Sequence, residues 1–129
     1  MDADAERSAL DTIASRVIGC AHTVGNVLGP GFLEKVYENA LMVELRYDGL
    51  RVDQQVPFQV RYREEVVGNY IPDIVVEHAV ILEVKAQARL DVVNRVQCLN
   101  YLRATGLRIA LLLNFGSPRV EVQRVVHRY

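Results

Sequence analysis

Apolar residues recur three or four apart over residues 6–28, at Leu10, Ile13, Val17, Ala21, Val24 and Leu28, which predicts one amphipathic helix. Gly29-Pro30-Gly31 should end it, because proline cannot continue a helix and glycine permits a sharp turn. A second helix is expected from Phe32 to Tyr47. Leu33, Tyr37, Ala40, Leu41 and Leu45 form its apolar stripe, with Lys35, Glu38, Asn39, Met42 and Arg46 on the opposite side. Asp48-Gly49 closes it.

Strands come next. Val56–Tyr62, a turn at Arg63-Glu64-Glu65 and then Val66–Val76 read as a hairpin with a long second arm. Glu77-His78-Ala79 turns the chain into Val80–Ala86, a run of β-branched and aliphatic residues. Asp91 suits the N-cap of a third helix that runs to about Ala104 and stops at Thr105-Gly106. Leu107–Leu113 is continuously apolar, as in a strand buried on both faces. A last strand spans Val120–His127, where Val120, Val122 and Val126 alternate imperfectly with polar residues. The order α-α-β-β-β-α-β-β predicts a mixed α/β domain with helices covering a central sheet.

Composition narrows the class. The 129 residues are half hydrophobic and about a quarter charged, which fits a single globular domain over residues 1–129. No run approaches the roughly twenty apolar residues that span a bilayer, and the acidic start MDADAERSALD has no apolar stretch of the secretory kind. Cys20 and Cys98 stand alone within apolar helical patterns, so buried small hydrophobes are expected rather than a disulfide or a zinc site. A cytoplasmic location fits these thiols. The net charge of −1 hides an uneven distribution: residues 89–129 carry seven arginines against Asp91 and Glu121. Such a concentration could follow a phosphate backbone or simply form a solvated face.

The chemistry concentrates in Ile71-Pro72-Asp73-Ile74-Val75-Val76 and Ile81-Leu82-Glu83-Val84-Lys85. Side chains alternate along a strand, so Glu83 and Lys85 share a face. If Glu77-His78-Ala79 is a three-residue loop, Asp73 stands opposite Glu83 and the three side chains converge; a two-residue loop breaks that alignment. Adjacent carboxylates repel, and the pair must take up a proton, a cation or a metal. With open positions for water, two carboxylates suit Mg²⁺ or Mn²⁺. Lys85 would then orient water or stabilise developing negative charge. The same spacing also describes a cross-strand salt bridge with no activity.

Upstream, Gly31-Phe32-Leu33-Glu34-Lys35-Val36-Tyr37 spells G-x-x-E-x-x-Y at the start of a helix. With LGPGFLEKVYENAL, the Pro-Asp and Glu-Val-Lys pair, VQCLNYLRATG and LRIALLLNFG in this order, the chain resembles the GxxExxY family of the PD-(D/E)XK nuclease superfamily over roughly residues 10–126. The resemblance implies a restriction-endonuclease-like core. It implies a divalent metal held by Asp73 and Glu83, with Lys85 assisting the attacking water. It also implies that Glu34, from the early helix, completes the metal site, although an acidic residue in a first turn suits the helix dipole by itself. Tyr37 is read as a packing residue that steers Glu34. Gln97 and Tyr101, one helical turn apart, resemble a Q-x-x-x-Y element of some nucleases in this superfamily. Gln97 could support the metal, contact a phosphate or satisfy backbone beneath the helix. Members of the family frequently carry histidines at the positions of Gly25 and Asn94, which this chain lacks.

Three functions are compatible with these residues. The first is a metal-dependent nuclease acting on DNA or RNA, the second a nucleic-acid-binding module on a nuclease fold, and the third a structural or dimerisation module. Retention of Glu34, Asp73, Glu83 and Lys85 together favours the first. A homodimer would offer a longer groove, and no membrane partner is expected.

Overall fold

A computed structural model describes residues 2–129. Helix α1 spans Ala3–Leu28 and begins earlier than the apolar period alone indicates, because the Asp2 carboxylate accepts from the Ala5 N–H at 2.8 Å and caps it. Gly29, at φ 68°, ends it. Helix α2 spans Glu34–Tyr47 and starts later than expected, with Leu33 extended at the N-cap position and largely exposed. Its buried residues are Tyr37, Glu38, Leu41, Met42 and Leu45. Glu38 and Met42, which the apolar stripe assigns to the solvent side, instead face inward.

The strands are β1 (Val52–Gln54), β2 (Phe58–Tyr62), β3 (Glu65–Tyr70), β4 (Ile74–Val76), β5 (Val80–Lys85), β6 (Ile109–Asn114) and β7 (Glu121–Val126), with helix α3 (Val92–Thr105) between β5 and β6. Five of them form one mixed sheet in the order β1-β4-β5-β6-β7; β5 and β6 run parallel and the other pairs antiparallel. Helix α3 provides the crossover that a parallel pair requires. The central sheet flanked by helices is as predicted, and β6 is buried throughout its length.

The expected long arm Val66–Val76 is two strands. Pro72 supplies no N–H to a ladder and pushes Ile71 toward extended geometry, so the chain leaves one sheet at Tyr70 and joins another at Ile74. β2 and β3 pair only with each other, closed by a two-residue turn at Arg63 and Glu64, both at positive φ, rather than by three residues. β1 carries Asp53 and Gln54 on a short edge strand against β4, where no apolar run is needed to form the ladder.

Alternation along β5 divides the interior. Val80, Leu82 and Val84 join Ile109, Leu111 and Leu113 in a core beneath α1 and α2. On the other face Ile81, Ala110 and Leu112 pack with Tyr70, Cys98 and Leu102 under α3. Cys20 and Cys98 are free and buried, as their apolar settings predict. No helix among the described residues is long and apolar enough to cross a membrane.

Candidate metal and catalytic site

The site lies where β5 turns its polar residues toward the α3 face. The loop between β4 and β5 has three residues: Val76 pairs with Val80, Val75 with Ile81 and Ile74 with Leu82. Glu77 and His78 accommodate it at φ 52° and 53°. Continued by one residue, this register sets Asp73 opposite Glu83. Asp73 sits just before β4, and its Oδ2 accepts from the Val84 N–H at 2.8 Å. The two carboxyl groups are close enough for each to act on the other's proton affinity.

Burial dominates the electrostatics. Glu83 is 7 % exposed, and its carboxyl is pushed up to about 8, first by desolvation and then by the charge of Asp73. Lys85 works in the other direction on both carboxyls. Asp73 is raised as well: desolvation exceeds the opposing effect of the Val84 N–H, and Glu38 adds like charge. Lys85 is only half-buried, and among the described residues no ion pair joins it to either carboxylate. The arrangement is a carboxylate pair beside a free ammonium group rather than a closed salt bridge.

Tyr70 is the residue that sequence reasoning missed. Its hydroxyl donates to Glu83 Oε1, and its ring stacks on Tyr101 with centroids 3.6 Å apart and planes 11° from parallel. Burial first, and the neighbouring Glu83 charge second, raise its hydroxyl and keep it a donor. The signal available was its place at the last apolar position before Ile71-Pro72. That could be recognised only by knowing that the long arm breaks there.

Gln97 and Tyr101 project from α3 into a cleft of about 550 Å³ that Glu83 and Lys85 also line. Glu34, by contrast, is exposed. One turn further along α2, Glu38 is 4 % exposed and near enough to Asp73 to raise its carboxyl. Its Oε2 accepts from Lys35 Nζ at 3.0 Å, Gln54 Nε2 at 2.5 Å and Gln55 Nε2 at 2.9 Å. The early-helix glutamate next to Asp73 is thus Glu38, and the motif residue Glu34 is not brought into the cluster. Tyr37 is fully buried: it donates to the Gly29 carbonyl at 2.5 Å, accepts from the Phe32 N–H at 3.1 Å and stacks on Phe115. It fastens the Gly29-Pro30-Gly31 turn and so orients the start of α2.

The positions that lack histidine have structural occupations. A Cβ on Gly25 would lie 2.3 Å from Val120 Cγ2, so a side chain there requires the Val120 side chain to move. Asn94 completes the capping box of α3 with Asp91 and accepts from Gln87 Nε2 at 2.6 Å.

Asp73 and Glu83 have the chemistry to hold one hard divalent cation: two oxygen donors forced together, whose mutual repulsion a cation relieves. Among the described residues no group of three or more His, Cys, Asp or Glu side chains is arranged as a metal cage. Two carboxylates alone would leave most positions of such a cation to water.

Comparison with known proteins agrees with this architecture. Neither the curated proteins nor the solved structures give a match. A family model for the PD-(D/E)XK nuclease superfamily matches residues 11–125, a span from the first turns of α1 almost to the end of β7. That span includes the carboxylate pair, Lys85 and all but the last residue of the mixed sheet, and the chain belongs to the PD-(D/E)XK nuclease superfamily.

Proposed function

We propose that the protein is a metal-dependent nuclease that hydrolyses phosphodiester bonds of DNA or RNA, and that within its superfamily it belongs to the GxxExxY branch. The observation that carries this reading is the adjacent Asp73–Glu83 carboxyl pair, Glu83 buried and Asp73 partly so, with Glu83 and Lys85 lining an open cleft. Packing alone supplies no reason to bury Glu83 beside a second carboxylate, since replacing buried charges by apolar residues is often neutral or stabilising.

In this reading Asp73 and Glu83 hold Mg²⁺ or Mn²⁺, which when bound polarises the phosphoryl oxygen and lowers the pKa of coordinated water. The Val84 N–H and the Tyr70 hydroxyl each hold one carboxylate oxygen, which leaves the remaining lone pairs free for ligation. Lys85, unpaired and facing the cleft, steadies the attacking water or the charge that develops on the phosphate. Gln97 lies on the cleft wall where it can meet the phosphate or the metal's water shell. Free, buried cysteines fit a reducing cytoplasm, and a homodimer would bring two such clefts onto one nucleic acid.

The test is incubation of the pure protein with DNA and RNA in Mg²⁺, Mn²⁺ or EDTA, beside Glu83→Ala and Lys85→Ala. Cleavage should need metal and fall by at least about a hundred-fold in each variant. A folded protein that binds Mn²⁺ and nucleic acid yet cleaves nothing would instead be a binding module. That second reading draws on Glu38, whose Oε2 is already taken by Lys35, Gln54 and Gln55.

A further inference from the structure

Glu83 and Lys85 of the proposed site lie in a cleft whose walls have a definite chemistry. One wall is the β2–β3 hairpin, which contributes Asn69; the other is α3, which contributes Gln97, Asn100 and Tyr101. Glu83 and Lys85 are at the floor. The cleft, about 550 Å³, is of the size that takes one small ligand (about 300–1,000 Å³). Such a space admits one unpaired nucleotide between the walls above Glu83, which is 7 % exposed, whereas the bases of a duplex stay stacked and paired outside it.

Charge points the same way. Duplex binding relies on many Lys and Arg contacts to phosphates, yet the cleft lining contains one cation, Lys85, and no arginine. Arg61, on the hairpin, is turned onto its own strand pair, donating to the Glu64 carbonyl at 3.0 Å and Gln59 Oε1 at 2.7 Å. What the walls offer is amide donors and acceptors on exposed Asn69, Gln97 and Asn100, and the partly exposed ring of Tyr101. Amides pair with base edges, and an aromatic face stacks on any base. These groups fit a nucleobase, and a base presents its edge and face to them only when it is unstacked and unpaired.

We propose that the cleft binds unpaired nucleotides, so that single-stranded DNA or RNA is the substrate class of this site. The proposal rests on the nuclease reading for the cleavage step, while the binding itself is separable. Fluorescence anisotropy in EDTA, where cleavage is suppressed, would compare labelled oligonucleotides of one sequence as single-stranded DNA, single-stranded RNA and duplex. Wild type, Asn69→Ala and Asn100→Ala would be compared, with Mn²⁺ affinity measured for each by calorimetry. The expected result is that one or both single strands bind about ten-fold tighter than duplex. Each variant should lose about five-fold of that affinity with Mn²⁺ binding unchanged. Duplex binding as tight as either single strand, or variants that bind single strands like wild type, would overturn the proposal. Tight single-strand binding without metal-dependent cleavage would sustain it while removing the nuclease reading; cleavage with a duplex preference would do the reverse.

Discussion

Glu34 and Glu38 lie one helical turn apart on α2, and the difference between them shows what a motif alone conveys. Glu34 is exposed, whereas Glu38 is buried against Gln54 and Gln55 and adds like charge to Asp73. Glu38→Gln should therefore change Mn²⁺ affinity by about ten-fold, and Glu34→Gln by less than about two-fold, in titration calorimetry. The reverse ranking would return the early glutamate of the site to Glu34. Tyr70→Phe keeps the ring stack on Tyr101 but removes the donor to Glu83. Loss of such a supporting hydrogen bond costs about 10–100-fold in metal affinity, so the same titration should show at least the lower figure; unchanged affinity would mean that Glu83 needs no such orientation. Asp73, Glu83 and Lys85 were legible in the sequence because strand alternation and a three-residue loop suffice to bring them together. Glu38 was not: it lies beside the apolar stripe, and Lys35 together with amide partners from the β1 region makes its burial tolerable.

At the scale of elements, the end of β5 that carries Glu83 and Lys85 is anchored by side-chain and glycine packing rather than by further strand. Asn114, fully buried at the end of β6, accepts from the N–H groups of Gln87 and Gly116 at 3.0 and 3.1 Å and donates to the Gln87 carbonyl at 2.9 Å. Gly116 lies so close that an added Cβ would be 2.2 Å from the Gln87 oxygen. Gly116→Ala should cost about 3 kcal/mol, the upper end of overpacking penalties, because the opposing atoms are backbone. Urea unfolding measures this, and a loss below about 1 kcal/mol would show that the loop adjusts freely. Helices and the buried strands were readable because their apolar periods are long. The division of the expected long arm into β3 and β4 was not, since the apolar pattern runs on through Ile71-Pro72 and the break comes from a missing backbone donor. β1 was invisible for the opposite reason: an edge strand of three residues has too little burial to impose a pattern.

For the molecule as a whole, the carboxylate pair ties stability to pH. The folded-state Glu83 carboxyl titrates near 8 against a usual value of 4.5, so between these values the metal-free folded chain holds a proton that the unfolded chain has released. Stability contributed by this group is fully present below about 4.5 and declines as pH rises toward 8. In EDTA, Glu83→Gln should gain thermal stability relative to wild type from pH 5 to pH 8, because its amide has no proton to lose. A difference between the two proteins that stays constant over this range would contradict the assignment. Metal binding must displace that proton, so saturating Mn²⁺ should raise the melting temperature of wild type more at pH 8 than at pH 5.

The chain leaves the small hairpin at Tyr70 and enters the main sheet at Ile74, with Pro72 between. Nothing in the ladder of the five-stranded sheet depends on the length or register of β2 and β3. The hairpin tip, residues 61–66, is therefore a natural grafting segment: loops of other lengths or compositions can be exchanged there as a cassette without shifting Asp73 against Glu83, while Phe58 and Val60 are kept for their pairing with Tyr70 and packing under α3. The same independence places the cleft wall and the carboxylate pair under separate structural constraints.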